Sequence, residues 1–179
     1  ILCLANKSPI MLDIYQKNSK NTCRYLLGRS GTRPLVVIGL NPSKADPIHP
    51  DQTIMKVNGF ASRQGYDGFV MCNLYPQRTP IPDKLHKRRN KQLIQENLSI
   101  IAALYQDLGK LDILAAWGQP IEKRLYLRDC LQDIYQLSTA YETNWWMIGH
   151  PTKAGHPRHP SRAGYALGFQ RFDIKNYLS

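Results

Sequence analysis

The apolar positions of the chain gather into four short runs, separated by stretches in which apolar residues recur at helical spacing. The cleanest run, Leu35-Val36-Val37-Ile38, has no polar alternation, which predicts a strand covered on both faces, as in a parallel sheet. It stops at Gly39-Leu40-Asn41-Pro42-Ser43. Gly39 permits a close approach that a Cβ would obstruct, and Pro42 holds Asn41 away from helical geometry. The other runs, Phe69 to Cys72, Ile113 to Ala116 and Trp145 to Ile148, also end at polar or glycine-bearing turns: Asn73, Trp117-Gly118 and Gly149-His150. Between them, Ile54, Val57, Phe60 and Ala61 predict a helix over 52–64 with Asp51 as its N-cap and Gly65 as its end. A second helix carries Leu93, Ile94, Leu98, Ile101 and Leu104 to about Tyr105, and a third spans 120–131. This alternation predicts an α/β fold, a three-layer αβα sandwich with a central, mainly parallel four-stranded sheet. Ligands bind such sheets beyond the carboxyl ends of the strands.

The length of 179 residues suits a single domain over 1–179 that buries a core without disulfides or structural metal. Residues 1–33 form a poorly patterned N-terminal extension in which Cys23 to Leu27 reads as an extra edge strand. Residues 150–162 form a basic loop of His, Pro and Gly, followed by an amphipathic tail with Tyr165, Leu167 and Phe169. Cys3, Cys23, Cys72 and Cys130 show no C-x-x-C pair, so the reading is buried packing in a reducing cytoplasm rather than a disulfide frame or zinc site. The opening Ile-Leu-Cys-Leu-Ala is too short for a signal core or a membrane span.

Charge narrows the partner. Lys and Arg total 24 against 13 acidic residues, a net +11, which favours a polyanion, nucleic acid before membrane. The densest positive segment holds Lys84, His86, Lys87, Arg88, Arg89 and Lys91. His150, His156 and His159 lie close in sequence, but their spacing fits neither one helical face nor a short zinc finger, so no metal and no cofactor are expected. Absence of G-x-x-x-x-G-K-[ST], G-x-G-x-x-G and G-x-S-x-G removes the main support for P-loop, dinucleotide and hydrolase-elbow readings.

Taken in order, Gly39-Leu40-Asn41-Pro42, Asn73 after an apolar strand, Trp117-Gly118 after the next and a His-Pro loop after the last resemble the uracil-DNA glycosylase superfamily. The first motif is most similar to that of the mismatch-specific uracil or thymine branch. More narrowly, Gly-Leu-Asn-Pro-Ser, Asp-x-Thr, Asn-Leu, Trp-Gly and Pro-Arg-His-Pro resemble the DUF1643 proteins over roughly residues 24 to 162. The last motif corresponds either to His150-Pro151-Thr152 or to His159-Pro160-Ser161, and the cysteine quartet of iron-sulfur branches has no counterpart.

The resemblance implies a monomeric DNA glycosylase acting on an extruded damaged or modified base, including the bulky bases of some phage DNA. Such chemistry needs a group that places water beneath the sugar, a donor for the base anion and a polar reader of the base edge. Asn41 suits the first role, with Asp46 or Asp51 adding basicity; His150 or His159 suits the second and Asn73 the third. Gly39, Leu40, Pro42, Ser43, Tyr75 and Trp117 are expected to shape the base pocket. Lys44, Lys153, Arg158, Ser161, Arg162, Arg88 and Arg89 are expected to hold phosphates. Two alternatives remain: a hydrolase or transferase on free nucleosides or nucleotides, and a non-catalytic DNA- or base-binding module.

Overall fold

Leu35, Val36, Val37 and Ile38 are each fully buried, so this segment has apolar layers on both sides. A computed structural model describes residues 10–179 and places the segment at the middle of the molecule. In chain order the elements are β1 (Ile14–Lys17), β2 (Arg24–Arg29), β3 (Pro34–Gly39), α1 (Gln52–Arg63), β4 (Gly68–Asn73), α2 (Lys91–Leu108), β5 (Lys110–Ala115), α3 (Tyr126–Ser138), β6 (Glu142–Ile148), β7 (Phe169–Arg171) and α4 (Ile174–Leu178).

The strands form one seven-stranded sheet in the order β1-β2-β4-β3-β5-β6-β7. The strands β4, β3, β5 and β6, which carry the four apolar runs, pair in parallel, whereas β1, β2 and β7 add antiparallel edges. The four-stranded expectation is therefore corrected to a mixed sheet of seven. β2 lies inside the edge rather than at it, because β1 pairs along its outer side. Alternate residues face opposite layers: Leu35, Val37, Phe69 and Met71 meet Ile54, Val57 and Phe60 of α1. Val36, Ile38, Cys72 and Ile113 meet Ile94, Ile101 and Tyr105 of α2 and Leu127 and Ile134 of α3. Burying each such apolar side chain contributes roughly 1.5–3 kcal/mol.

Local chemistry fixes the element ends. Asp51 Oδ1 accepts from the Ile54 N–H at the start of α1, and Asn90 Oδ1 from the Leu93 N–H at the start of α2. Ahead of β3, Asp67 accepts from the Thr32 hydroxyl and from the Thr32 and Arg33 N–H groups, which together draw its carboxyl down to about 2. α2 runs beyond Tyr105 to Leu108 and stops at Gly109, whose φ is +67°.

The predicted helix over 120–131 divides into a 3-10 segment, Gln119–Lys123, and α3 from Tyr126. Arg124 is extended between them, and its guanidinium donates to the carbonyls of Asp83, Leu85 and His86. Cys23, Cys72 and Cys130 are buried free thiols, and burial pushes Cys72 up to about 12. Cys3 and the opening apolar run lie outside the described residues. No helix is long and apolar enough to cross a membrane, among the described residues.

Candidate functional site

From β3 the chain passes through α1 to β4 on one side; from β5 it passes through α3 to β6 on the other. The carboxyl ends of the neighbours β3 and β5 therefore diverge and open a crevice, the switch point of a doubly wound sheet. A cleft of about 890 Å³ lies there. Its walls include Gly39, Leu40, Asn41 and Ser43 after β3, Trp117, Gly118 and Gln119 after β5, and Arg158, His159, Ser161 and Arg162 of the final loop. Four cationic residues, Arg24, Lys123, Arg158 and Arg162, face two carboxylates, Asp51 and Glu122, along it.

Asn41 is oriented by its surroundings. Its Nδ2 donates to the carbonyls of Thr79 at 2.8 Å, Pro42 at 3.1 Å and Gln77 at 3.3 Å, tying the loop after β3 to the loop after β4. Three acceptors on one side fix the amide, so Oδ1 is the end left without a partner among the described residues, in a side chain that lines the cleft. Gly39 brings this turn close to β4: a Cβ there would stand 2.9 Å from Asn73 Oδ1.

His159 is oriented just as firmly. The Ser161 N–H donates to Nδ1 at 3.3 Å and the Ser161 hydroxyl lies 2.8 Å from the same atom. Nδ1 is therefore an acceptor, and in the neutral ring the proton resides on Nε2, which has no partner among the described residues. Burial lowers the His159 pKa; Asp51 opposes the shift and Arg162 reinforces it. Gly118, at a φ of +66°, packs its open side against His159, with a Cβ position 3.5 Å from the histidine Cβ.

His150 does not join this site. It is exposed at the turn after β6, where its carbonyl accepts from Arg158 Nε at 3.0 Å, and it does not line the cleft. The strand ends at Ile148, and the positive φ of Gly149 (+56°) turns the chain away before His150. Asp46 also lies outside, because its carboxylate accepts from the Ile48 and His49 N–H groups of its own loop. Asp51 does line the cleft, with Oδ1 held as the α1 cap.

Among the expected pocket residues, Tyr75 turns into the core, where its hydroxyl pairs with His86 Nδ1 at 2.7 Å. Trp117 borders the cleft, but its indole is fully buried and donates to the Tyr177 hydroxyl at 3.2 Å. Asn73 lies beneath Gly39, outside the lining, with both amide atoms buried and unpartnered among the described residues, so it does not meet a base in the cleft as expected. Pro42 is buried behind the turn. Of the expected phosphate contacts, Arg158, Ser161 and Arg162 line the cleft; Lys44, Lys153, Arg88 and Arg89 are exposed elsewhere.

Sequence reasoning missed two groups. Arg24, only 3% exposed, reaches the cleft from β2. Glu122 lies on the β5 side, where Oε1 pairs with Nε2 of the buried His156 at 2.9 Å. That bond is the main cause of its lowered pKa. Beyond it, His156 Nδ1 lies 2.7 Å from the Tyr177 hydroxyl. A consistent donor order runs Trp117 N–H to Tyr177, Tyr177 O–H to His156, and His156 Nε2–H to Glu122. The Trp117-Gly118-Gln119-Pro120 turn was the available signal for Glu122; nothing local marks Arg24. No three His, Cys, Asp or Glu residues come together as metal ligands among the described residues.

The fold and cleft define a doubly wound α/β protein with a basic, oriented polar site at its switch point. A family model described as "Protein of unknown function (DUF1643)" matches residues 24–161, and the chain belongs to that family. Curated proteins and solved structures give no significant match. The matched segment carries every cleft wall named above except Arg162, the first residue beyond it.

Proposed function

We propose that this cleft hydrolyses the N-glycosidic bond of a damaged or modified base extruded from DNA, with the parallel core serving as a uracil-DNA glycosylase-like scaffold. One observation carries the reading: an amide oxygen on Asn41 and an imidazole N–H on His159, each oriented by its other end, line one cleft. Cleavage builds positive character on the sugar and negative charge on the departing base. Asn41 Oδ1 accepts a hydrogen bond from water and positions it against the sugar. His159 Nε2–H donates to the departing base anion, and burial, which disfavours the charged ring, keeps Nδ1 free to accept the Ser161 N–H that orients it.

An amide is too weak a base to deprotonate water, so Asp51 or Glu122, the two carboxylates of the lining, receives the proton. Arg158 and Arg162 hold flanking phosphates.

The test compares abasic-site formation by His159→Ala and His150→Ala on a DNA that the native protein processes. His159→Ala lowers the rate at least about a hundredfold, the scale of a lost donor to a developing anion. His150→Ala stays near the native rate. Equal rates in both variants would remove His159 from the chemistry.

A further inference from the structure

Arg24 is the most deeply buried cation on the cleft, at 3% exposure. Its Nη1 donates to the Ala45 carbonyl at 2.8 Å, while Nε is buried without a hydrogen-bond partner among the described residues. Arg78 reaches the same carbonyl at 3.3 Å and the Lys44 carbonyl at 3.0 Å, and its Nη1 is likewise buried and unpartnered among the described residues. Two guanidinium groups thus converge behind the loop after β3, and neither forms an ion pair among the described residues. Burial and then Arg78 lower the Arg24 pKa to about 10, which leaves it charged at neutral pH. Asp51 offsets this charge from beyond ion-pair distance, with one carboxylate oxygen already held by the Ile54 N–H.

A buried guanidinium without a counter-charge is costly, and the cost is relieved when an anion enters. Chemistry for an oxyanion lines the same cleft. Ser43 and Thr53 line the cleft with hydroxyls that have no partner among the described residues, and Thr53 lies in the first turn of α1, where the helix end favours negative charge. We propose that Arg24, Ser43 and Thr53 form a seat for one phosphoryl group of a nucleotidyl substrate. The seat deepens the glycosylase reading by naming where the substrate is gripped; it requires no bond cleavage, so the two stand or fall separately. A phosphodiester of DNA and the terminal phosphate of a free nucleotide share this chemistry.

The experiment follows the Arg24 Nε–H resonance of the native protein by ¹⁵N-edited NMR, assigned by its loss in Arg24→Lys. The probes are thymidine, thymidine 5′-monophosphate and a thymidine trinucleotide containing only phosphodiesters. A saturable shift with either phosphate-bearing probe and none with thymidine supports the seat. The probe that produces it identifies terminal phosphate or diester as the source. Arg24→Met weakens that probe's binding at least about tenfold, as expected for a lost charged hydrogen bond. An unmoved resonance at saturating phosphate probes, an equal shift with thymidine, or native affinity in a folded Arg24→Met protein overturns the proposal. Because the resonance is read in the native chain, misfolding of a variant does not rescue it. Abasic-site assays report separately on the hydrolytic reading.

Discussion

Replacing Asn41 by aspartate tests whether the amide nitrogen is a structural tie as well as the partner of a functional oxygen. The Nδ2 group makes three hydrogen bonds to backbone carbonyls that join two cleft loops. At about 0.5–1.5 kcal/mol each, with the two longer ones at the weak end, their loss in Asn41→Ala costs about 2 kcal/mol. Asn41→Asp costs more, about 3–5 kcal/mol, because an acceptor oxygen then faces three carbonyl oxygens. Against a usual domain stability of about 5–15 kcal/mol this is a large fraction. Equilibrium urea unfolding followed by tryptophan fluorescence measures both values.

The pH dependence has a definite sign. The introduced carboxyl regains a donor only when protonated, so folding raises its pKa, and the excess destabilisation is relieved as pH falls from 7.5 to 5. Native-like stability of Asn41→Asp at pH 7.5 would show that the amide nitrogen is not the tie described.

Tyr177→Phe removes the hydroxyl between Trp117 and His156 and leaves a buried indole N–H without its acceptor; a loss of about 1–3 kcal/mol is expected. Thermal melts check it, and an unchanged midpoint speaks against the hydrogen bonds from Trp117 through Tyr177 to His156. His159 has a folded pKa below its ordinary 6.5, so its neutral form contributes stability that is present above 6.5 and is lost as pH falls through the lowered value. Protonation of Nδ1 also breaks the Ser161 N–H bond that orients the ring, so base release falls on the same acidic limb, and the residual activity of His159→Ala shows no such limb in its rate profile. Charge reversal at Arg158 and Arg162, which line the cleft, reduces the salt slope of DNA binding by about one for each phosphate no longer neutralised. Reversal at Arg88 and Arg89, exposed at the start of α2, changes the slope less, and the opposite order in titrations would move the DNA path to that helix.

The parallel core was legible because its strands are buried on both faces, so Leu35 to Ile38 and Phe69 to Cys72 appear as unbroken apolar runs. The antiparallel edges were not. β1 has four residues with no buried position, and β7 has three, so neither leaves a pattern beyond that of a polar loop. At the site, the strand ends were readable, as Asn41 and the Trp117-Gly118 turn show by lining the cleft, because the end of an apolar run marks the ligand edge. His159 and His150 were inseparable in sequence, since their order along the loop says nothing of the turn that Gly149 imposes. Arg24 and Glu122 come from other elements and meet the cleft only through tertiary packing.

The most direct measurement is mass spectrometry of the small molecules released when the native protein is incubated with oligonucleotides carrying damaged bases and with phage DNAs carrying modified ones. A base-releasing cleft yields a free base with the mass of one substrate base and an equal number of abasic sites in the same DNA, both formed at least about a hundredfold more slowly by His159→Ala. Intact DNA in every arm, or release of a nucleoside or nucleotide in place of the base, would overturn the glycosylase assignment.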